Sequence, residues 1–389
     1  MSRRRVVLLG ASGSIGRQTI EVVAAHPDRF TLVGLAVGRD VDRVAEQAAA
    51  HGVRRIAVAD PEAARRLRGL APELEVLDGA GAAASLAAMD ADLVVNGITG
   101  AIGLAPTLAA LDAGTPVALA NKESLIVGGA LVVEAAQRAG GRERFLLPVD
   151  SEHAALAQCL RGGDRAEVAR LLLTASGGPF RGRSRAQLAD VTPAAALDHP
   201  TWSMGPVITI NSSTLVNKGL EVLEAHLLFD VGLDRIEVVV HPQSIVHAMV
   251  EFQDGSTIAQ LSPPDMRLPI QVALGWPERL GQAFTACDWR TASQLSFEPV
   301  DHDAFPALRL AVEAGRRGGT HPAVFNAANE VAVEAFLAGR LAYLDITATI
   351  AATLAASTPV VPRDLEDVLE ADQDARRRAR ALLAAGGPR

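Results

Sequence analysis

Short apolar runs alternate with Ala-rich amphipathic stretches through roughly the first 150 residues. The apolar runs are rich in Val, Leu and Ile and read RVVLLG, FTLVGLAVG, RIAVAD, LEVLDG, ADLVVNGI, TPVALAN and RFLLPVDS. Most are separated by segments compatible with helices, such as RQTIEVVAAHP and VDRVAEQAAAHG. Fully apolar strands that alternate with helices are typical of a parallel sheet covered on both faces. We therefore predict an α/β fold that begins with a Rossmann-like, doubly wound domain over residues 1–149.

The pattern changes after this first part. RIEVVVHP, SIVHAMVEF and TIAQLSP read as strands, and the last two predict an antiparallel hairpin around QDGS. Later in the chain, the spacing of apolar residues is typical of packed helices in ALRLAVEAGRRGG, PAVFNAANEVAVEAFLAG and YLDITATIAATLAAS. We predict a central α+β catalytic domain at 150–275, a connector at 276–302, and a C-terminal helical domain with a frayed tail at 303–389.

Composition excludes several classes of protein. The chain has 389 residues and a net charge of −8, whereas general nucleic-acid binders normally carry a basic excess. Its two cysteines, Cys159 and Cys287, indicate neither a disulfide framework nor a cysteine-rich metal site. The apolar run after MSRRR stops at Gly10, too early for a signal peptide, and no segment reaches transmembrane length. We expect a cytoplasmic protein with no nucleic-acid or membrane partner.

A glycine-rich segment, GASGSIG, directly follows the first predicted strand and opens a predicted helix. Gly10, Gly13 and Gly16 permit a tight turn, and the N-terminus of the helix presents N–H groups to a pyrophosphate. Their spacing is G-x-x-G-x-x-G, which differs from the standard G-x-G-x-x-G dinucleotide fingerprint. The context favours nucleotide binding, and the alternative is a tight strand–helix turn without a ligand.

The second predicted strand ends in VGRDV. An acidic side chain at this point suits the ribose 2′-hydroxyl of NAD, whereas an arginine nearby suits the 2′-phosphate of NADP. Arg39 and Asp40 are adjacent, so the sequence offers a candidate residue for NADP and another for NAD. We favour NADP over a solvated loop charge at Arg39.

The stretch LLPVDSEH places Asp150 and Glu152 two positions apart after an apolar run. If the strand continues through Glu152, both carboxylates point to the same side, and His153 points to the other. Two carboxylates so close repel each other, so either a divalent cation or open solvent compensates them. The residues alone leave both possibilities open.

Further polar groups follow predicted strand ends and helix starts. Lys122 in ANKESL could hold a substrate phosphate or hydroxyl, or merely cap a helix, and Ser176 precedes a double glycine. The Pro- and Gly-punctuated segment at about 199–208, HPTWSMGPVI, has the composition of a mobile cover. On a helix, residues 217, 218 and 221 share one side, which is either an anion site or a solvated face.

Eight sequence blocks, taken together, resemble one enzyme family. GASGSIG, ANKESL, VDSEH, SGGPF, HPTWSMG, NSSTLVNKGLE, HPQSIVH and FNAANEVAV occur in the order found in the 1-deoxy-D-xylulose 5-phosphate reductoisomerase family. The resemblance implies a homodimer with an NADPH domain, a catalytic domain and a helical domain. It also implies isomerisation and reduction of 1-deoxy-D-xylulose 5-phosphate to 2-C-methyl-D-erythritol 4-phosphate, in non-mevalonate isoprenoid synthesis.

The same resemblance assigns roles by position in this sequence. The metal (Mg²⁺, Mn²⁺ or Co²⁺) would be bound by Asp150, Glu152 and Glu221. The phosphorylated sugar would be contacted by Lys122, Ser151, Glu152, Ser176, His199, Ser212, Asn217, Lys218 and Glu221. NADPH would be contacted by Ser12, Gly13, Ser14, Ile15, Gly38, Arg39, Asp40, Asn121, Glu123 and Gly205. Catalytic roles would fall to Lys122, Asp150, Glu152, His199 and Glu221, and Trp202 and Met204 would belong to the mobile loop.

Two other functions compete with this one. An ordinary NADP-dependent dehydrogenase acting on a phosphorylated sugar or semialdehyde would need the glycine loop but no metal. A non-catalytic nucleotide sensor would be expected to lack the acidic ligands, and all three acidic residues are present. The sequence does not separate retro-aldol cleavage and recombination from a ketol shift.

Overall fold

The structure is a computed structural model that describes residues 2–202, 204–291 and 294–386. The chain forms two compact units. The first contains the described residues of Met1–Leu125, Val132–Ala154 and Asp265–Thr285, and the second those of Ile126–Leu131, Ala155–Pro264 and Ala286–Arg389. Ser203, inside the predicted cover, and the last three residues of the predicted tail lie outside the described residues.

A seven-stranded parallel sheet forms the centre of the first unit. Its strands in chain order are β1 (Arg4–Leu9), β2 (Phe30–Val37), β3 (Arg55–Val58), β4 (Glu75–Asp78), β5 (Leu93–Asn96), β6 (Val117–Leu119) and β7 (Leu146–Pro148). Across the sheet they lie in the order β4-β3-β2-β1-β5-β6-β7. The predicted doubly wound parallel sheet is confirmed, because each apolar run identified in the sequence is one of these strands.

Helices cover both faces of this sheet. They are α1 (Ser14–Ala25), α2 (Val41–His51), α3 (Pro61–Leu70), α4 (Ala82–Ala87), α5 (Leu104–Asp112), α6 (Lys122–Gly128), α7 (Ala130–Ala139), α8 (Arg142–Phe145), the start of α9 (Ser151–Cys159) and, much later, α13 (Arg267–Gly275). One apolar core joins side chains of α1, α2, α3 and α13 to residues such as Leu35 of β2. Leu86 of α4 approaches the opposite face, at the neighbouring Gly34, where a Cβ would lie 3.0 Å from its side chain.

The strand order reverses direction between β1 and β5. In open α/β sheets, the carboxyl ends of the strands at such a reversal border the ligand crevice. Gly10 and Gly97 follow these two strands, and a Cβ on Gly10 would lie 2.7 Å from the Gly97 carbonyl oxygen. Gly10 also has φ +79°, so glycine is required there on both counts.

The second unit contains a mixed five-stranded sheet in the order β11-β10-β8-β9-β12. The strands are β8 (Val168–Ala175), β9 (Ile236–Val240), β10 (Val246–Phe252), β11 (Thr257–Leu261) and β12 (Glu298–Pro299). β8 and β9 are parallel, and the other pairs are antiparallel. The hairpin predicted around QDGS is β10–β11.

The helices of the second unit pack around an apolar core that includes Phe180, Phe325 and Phe336. They are α10 (Pro193–Leu197), α11 (Pro206–Ser213), α12 (Val216–Phe229), α14 (Ala307–Arg317), α15 (His321–Leu337), α16 (Tyr343–Ala355) and α17 (Leu365–Ala384). The predicted helical C-terminal region is confirmed. Among the described residues, no helix combines the length and the apolar character needed to cross a bilayer.

Two expectations differ from the structure. The strand in LLPVDSEH ends at Pro148 and α9 begins at Ser151, so the prediction that Asp150 and Glu152 share one face of a strand is wrong. A helix forms here in place of a longer strand because the Asp150 carboxylate accepts the N–H groups of Glu152 and His153, in the first turn of α9. In addition, residues 265–285 belong to the first unit, although the sequence placed them at the end of the catalytic domain and in the connector. The apolar face of α13 explains this, because Ile270, Ala273 and Leu274 join the core beside the parallel sheet.

Gly219 provides a test of the packing between α12 and α14. A Cβ at Gly219 would lie 2.6 Å from the Cβ of Ala311, so Gly219→Ala forces the two helices apart. We expect it to destabilise the protein by about 1–3 kcal/mol, as overpacking does. Thermal unfolding followed by circular dichroism measures the change.

The matched control is Gly69→Ala, because Gly69 lies in α3 and a Cβ there would meet nothing within 4 Å. This control should be neutral or slightly stabilising, since alanine favours helices by roughly 0.5–1 kcal/mol over glycine. Equal behaviour of the two variants would show that the close approach at Gly219 does not limit stability.

Candidate functional site

The glycine loop between β1 and α1 is built from close backbone contacts. A Cβ on Gly16 would lie 2.4 Å from the Gly10 carbonyl oxygen, so the first turn of α1 packs directly on the loop. Gly13 is extended at the N-cap of α1, and no side chain caps the helix. The exposed Gly13 and Ser14 therefore stand at an open helix N-terminus, between Ser12 and Ile15. Such a terminus suits a pyrophosphate.

Arginine side chains surround the same loop. Arg17 Nη1 and Arg43 Nη1 both donate to the Ser12 carbonyl oxygen, at 2.9 and 3.3 Å. Arg39 follows the exposed Gly38 beyond β2, and its Nε donates to Asp60 Oδ2 at 2.9 Å. Arg17 and Arg43 were not identified from the sequence. The position of Arg17 in the first turns of α1 could have suggested it, whereas Arg43 lies on α2 and has no such signal.

The Asp40 side chain caps a helix, a role that the sequence alone did not indicate. Its carboxylate accepts the Arg43 backbone N–H and caps the N-terminus of α2. An acid used in this way is less available to a ribose hydroxyl, whereas the Arg39 guanidinium is 85% exposed. The pKa of the Asp60 carboxyl is lowered by the N–H of Ala63 and by Arg39. The Arg39 side chain is therefore the exposed cationic group after β2, although it also pairs with Asp60.

Asn121, after β6, fixes the loop that follows β5. Its Nδ2 donates to the carbonyl oxygens of Ile98 and Gly100, and its Oδ1 accepts both the N–H and the hydroxyl of Ser124. Asn121 is 2% exposed, and a Cβ on Gly103 would collide with its amide. The side chain of Asn121 is thus used to hold neighbouring backbone.

A buried ion pair joins the ends of β6 and β7. Lys122 Nζ donates to Asp150 Oδ2 at 2.6 Å, and both side chains are about nine-tenths buried. Asp150 Oδ1 lies 2.8 Å from Nδ1 of His153, which is fully buried. Burial alone would raise the pKa of Asp150, but Lys122 and His153 together hold that pKa well below its usual range. Asp150 is therefore an anion near neutral pH.

Ser151 and Glu152 occupy the first turn of α9, where helix N-termini favour negative charge. The Ser151 hydroxyl donates to Glu152 Oε2 at 2.7 Å, and both residues are half-buried. His153 was expected on the opposite side from the carboxylates, and this expectation is wrong. Since residues i and i+3 of a helix are neighbours, the helical turn brings its ring to Asp150. Glu123 lies half-buried in the first turn of α6.

In the second unit, three predicted residues converge from distant parts of the chain. His199 Nε2 lies 3.2 Å from Ser176 Oγ and 3.1 Å from Ser212 Oγ. Ser176 follows β8, and its hydroxyl accepts the Gly178 N–H at 3.2 Å. A Cβ on Gly178 would lie 3.1 Å from the Ser212 carbonyl oxygen, so this turn packs against the end of α11.

Asn217, Lys218 and Glu221 form a second polar group on α12. Asn217 Nδ2 and Lys218 Nζ donate to the two different oxygens of the Glu221 carboxylate. Lys218 and Glu221 are 5% and 2% exposed. The predicted shared side of the helix is confirmed, and its alternative, a solvated face, is excluded by this burial. Leu215 has φ +60° in the turn between α11 and α12, which sets the start of α12.

The predicted mobile segment surrounds His199 and leads into α11. The N–H groups of Thr201 and Trp202 both donate to His199 Nδ1, at 3.1 and 3.0 Å. The Trp202 ring lies 6.2 Å from the His247 ring, and Met204 is half-buried. Gly205 is exposed at the N-cap of α11. The backbone of this segment thus fixes the orientation of the imidazole.

Sequence models of one family match three parts of the chain. The 1-deoxy-D-xylulose 5-phosphate reductoisomerase model matches residues 6–129, the model of its C-terminal domain matches 146–229, and the DXP reductoisomerase C-terminal domain matches 261–378. Among curated relatives, 1-deoxy-D-xylulose 5-phosphate reductoisomerase from Beutenbergia cavernae is 59% identical, over 100% of both chains. The enzyme of the same name from Kitasatospora griseola is 60% identical, over 97% of this chain and 100% of its own.

Solved structures agree with these relatives. The Zymomonas mobilis 1-deoxy-D-xylulose 5-phosphate reductoisomerase, in complex with NADPH, is 43% identical with a TM-score of 0.92, and the match covers 98% of this chain and 99% of that one. A DOX-P reductoisomerase in complex with NADPH, fosmidomycin and magnesium is 37% identical with a TM-score of 0.92, over 98% of both chains. The chain therefore belongs to the 1-deoxy-D-xylulose 5-phosphate reductoisomerase family.

Proposed function

We propose that this protein converts 1-deoxy-D-xylulose 5-phosphate to 2-C-methyl-D-erythritol 4-phosphate, with NADPH and a divalent cation, in non-mevalonate isoprenoid precursor synthesis. The observation that carries the proposal is identity of 59% to a reductoisomerase along the entire chain. The polar groups described above support it, because they supply an anion-binding loop, buried carboxylates and a set of hydroxyl and ammonium donors. When bound, NADPH supplies the hydride and the cation acts as a Lewis acid on substrate oxygens.

The NADPH site comprises the open N-terminus of α1 and the residues after β2, β6 and at the start of α11. The loop fits a dinucleotide because a Cβ at Gly10 or Gly16 would fill the space of its tight turn. Arg39 binds the 2′-phosphate, and Arg17 and Arg43 add positive charge beside it. The full set of contacts is Ser12, Gly13, Ser14, Ile15, Gly38, Arg39, Asp40, Asn121, Glu123 and Gly205. Asp40 and Asn121 contribute through their backbone, since their side chains are engaged with the protein.

The cation site comprises Asp150, Glu152 and Glu221. Carboxylate oxygens are hard ligands that suit Mg²⁺, Mn²⁺ and Co²⁺ in octahedral sites, and magnesium is the metal named in the related complex. Glu221 is 2% exposed and pairs with Lys218, so a bound cation would share this carboxylate with the lysine. Lys122 and His153 hold the pKa of Asp150 low, so this ligand is ionised and ready to coordinate.

Substrate binding uses two groups of donors. Ser176, His199, Ser212, Asn217 and Lys218 hold the phosphate, through neutral hydrogen bonds and one ammonium charge. Ser151, Lys122, Glu152 and Glu221 contact the sugar oxygens at the reacting end. Trp202 and Met204, in the segment at about 199–208, close over the sugar and exclude water from the reactive fragments.

The remaining features of the proposal concern the assembly and its location. We propose a homodimer, supported by the edge strand β11, which pairs with β10 on one side and exposes Ile258. The division into a catalytic and a helical domain within the second unit stays a prediction. Cys159 and Cys287 are free thiols, which suits a cytoplasmic protein, and the net charge of −8 suits one without nucleic-acid partners.

The direct test of activity and metal dependence follows NADPH oxidation with 1-deoxy-D-xylulose 5-phosphate. Turnover should stop in excess EDTA and return when Mg²⁺ or Mn²⁺ is added. Glu221→Gln should lower kcat/KM by more than about 100-fold, because even outer-shell partners of metal ligands are worth roughly 10–100-fold.

The matched control for this variant is Glu313→Gln, which removes an exposed carboxylate of α14 that pairs with Arg317. It should leave turnover unchanged. Turnover that persists after complete metal removal would exclude the metal, and no turnover with metal present would exclude the function.

Arg39→Ala tests the choice of cofactor. Loss of a charge-assisted hydrogen bond to the 2′-phosphate should raise KM for NADPH about tenfold or more, with little effect on KM for NADH. Steady-state kinetics with both cofactors measures the difference. Arg55→Ala is the control, since Arg55 carries an exposed guanidinium on the same sheet and pairs with Glu75. Equal effects of Arg39→Ala on the two cofactors would refute the role in 2′-phosphate binding.

The tautomer of His199 follows from its hydrogen bonds. Two backbone N–H groups donate to Nδ1, so Nδ1 carries no proton and the neutral ring is protonated at Nε2. Burial lowers the pKa of His199, which keeps the ring neutral at pH 7. Because the folded pKa lies below the unfolded value, its contribution to stability is present above about pH 6.5 and lost as pH falls through the lowered pKa.

Nitrogen-15 NMR at pH 7, assigned with His199→Gln, should show a neutral imidazole with the proton on Nε2. The exposed His302 provides a solvated ring for reference in the same spectrum. A proton on Nδ1, or a charged ring at this pH, would contradict the proposal that His199 donates one neutral hydrogen bond to phosphate.

A further inference from the structure

We infer that Asn329 and Tyr343, on two helices of the C-terminal region, are positioning residues for the phosphate-binding Ser212. The inference rests on the proposed function, since that function gives Ser212 its ligand. Neither side chain is assigned to substrate, metal or cofactor. Both instead bond to the two residues that flank Ser212 in sequence.

Asn329 bonds to the residue before Ser212. Its Nδ2 donates to Asn211 Oδ1 at 3.0 Å, across 118 residues of sequence. Asn329 is fully buried and Asn211 is 5% exposed. Among the described residues, the Oδ1 of Asn329 has no hydrogen-bond partner. Burying an amide costs free energy unless it is hydrogen-bonded, so the bond to Asn211 is the one compensation for placing Asn329 here.

Tyr343 bonds to the residue after Ser212. Its hydroxyl donates to the Ser213 carbonyl oxygen at 2.6 Å, across 130 residues. Its ring packs edge-on against Phe180 and Phe336, with centroids 5.3 and 5.7 Å away. Burial raises the pKa of Tyr343, so the hydroxyl keeps its proton and remains a donor. The rings thus hold the hydroxyl in place even before the bond forms.

Ser212 lies in the last turn of α11, an eight-residue helix. The last carbonyl groups of a helix lack intrahelical partners, and so short a helix holds its end weakly by itself. The Ser212 hydroxyl must nevertheless remain 3.1 Å from His199 Nε2. From α15, Asn329 holds the side chain of Asn211 before that hydroxyl, and from α16, Tyr343 holds the backbone carbonyl of Ser213 after it. The C-terminal helices therefore set the position of the Ser212 hydroxyl through the two residues that flank it.

The experiment compares two buried hydroxyl deletions on the same helix. Tyr343→Phe removes the bond to Ser213 and keeps the ring packing. Thr353→Val, its control, removes a hydroxyl that bonds only to the Thr349 carbonyl oxygen within α16. Tyr343→Phe, and likewise Asn329→Ala, should raise both KM for 1-deoxy-D-xylulose 5-phosphate and the inhibition constant of inorganic phosphate by about three- to tenfold. KM for NADPH should stay constant, and Thr353→Val should change none of these values.

A double-mutant cycle with Ser212→Ala separates positioning from general loss of stability. If Asn329 and Tyr343 act through Ser212, their effect on phosphate affinity disappears when Ser212→Ala is already present. Full additivity, unchanged phosphate affinity in both variants, or an equal effect of Thr353→Val would overturn the inference. Thermal unfolding identifies a variant that fails to fold, and the second variant then decides.

Calorimetric titration with inorganic phosphate provides a readout that does not need turnover. A wild-type protein that binds phosphate but does not turn over refutes the proposed function and leaves the variants' phosphate affinities to decide the inference. A wild-type protein that turns over, with variants that bind phosphate as it does, refutes the inference alone. Absence of phosphate binding by the wild type refutes the inference, and turnover alone then decides the proposed function.

Discussion

The candidate site depends on pairing buried carboxylates with ammonium groups. Asp150 and Glu221 are each largely removed from water, and each has a lysine within its own unit, Lys122 and Lys218. An unpaired charge at such depth would protonate or drive the chain to rearrange. Lys122 and His153 lower the pKa of Asp150, so this acid is anionic without any ligand, and Lys218 bonds directly to Glu221. The fold therefore requires these acid–lysine pairs whether or not a ligand is bound.

The pairing is possible because functional residues cluster at strand ends and helix starts. Lys122 begins α6 after β6, and Asp150 caps α9 after β7, so two neighbouring parallel strands deliver both partners. The same arrangement at the end of β1 leaves the N-terminus of α1 open. Neighbouring ends of one sheet therefore supply an open helix N-terminus and an ionised carboxylate by the same backbone geometry. The difference between them is whether a side chain occupies the helix N-terminus.

The parts of this structure that could be predicted from sequence are those with a repeating signal. Apolar periodicity identified every strand of the parallel sheet, and helical spacing placed residues 217, 218 and 221 on one side of α12. Periodicity could not identify where β7 stops, because the capping bonds of Asp150 depend on side-chain geometry over three residues. For the same reason His153 was placed on the wrong side. Arg43 was missed because its contact with Ser12 joins two segments that no short motif connects, whereas Arg17 lies close enough to Ser12 in sequence to have been found.

The group formed by Ser176, His199 and Ser212 shows why a polar cluster depends on more of the chain than its own residues. Ser176, His199 and Ser212 come from a strand end, an irregular segment and a short helix, so none of them is oriented by a long regular element. Each side chain is instead held by several hydrogen bonds. The Ser176 hydroxyl also accepts the Gly178 N–H, and the His199 ring accepts two N–H groups of its own loop. These three residues are half-buried, and hydrogen-bonded polar groups of this kind stabilise one another. The large helical core around Phe325 and Phe336 includes Ile210 and Leu215, which lie close to Ser212 in sequence, so its packing stabilises this polar group as well as the fold.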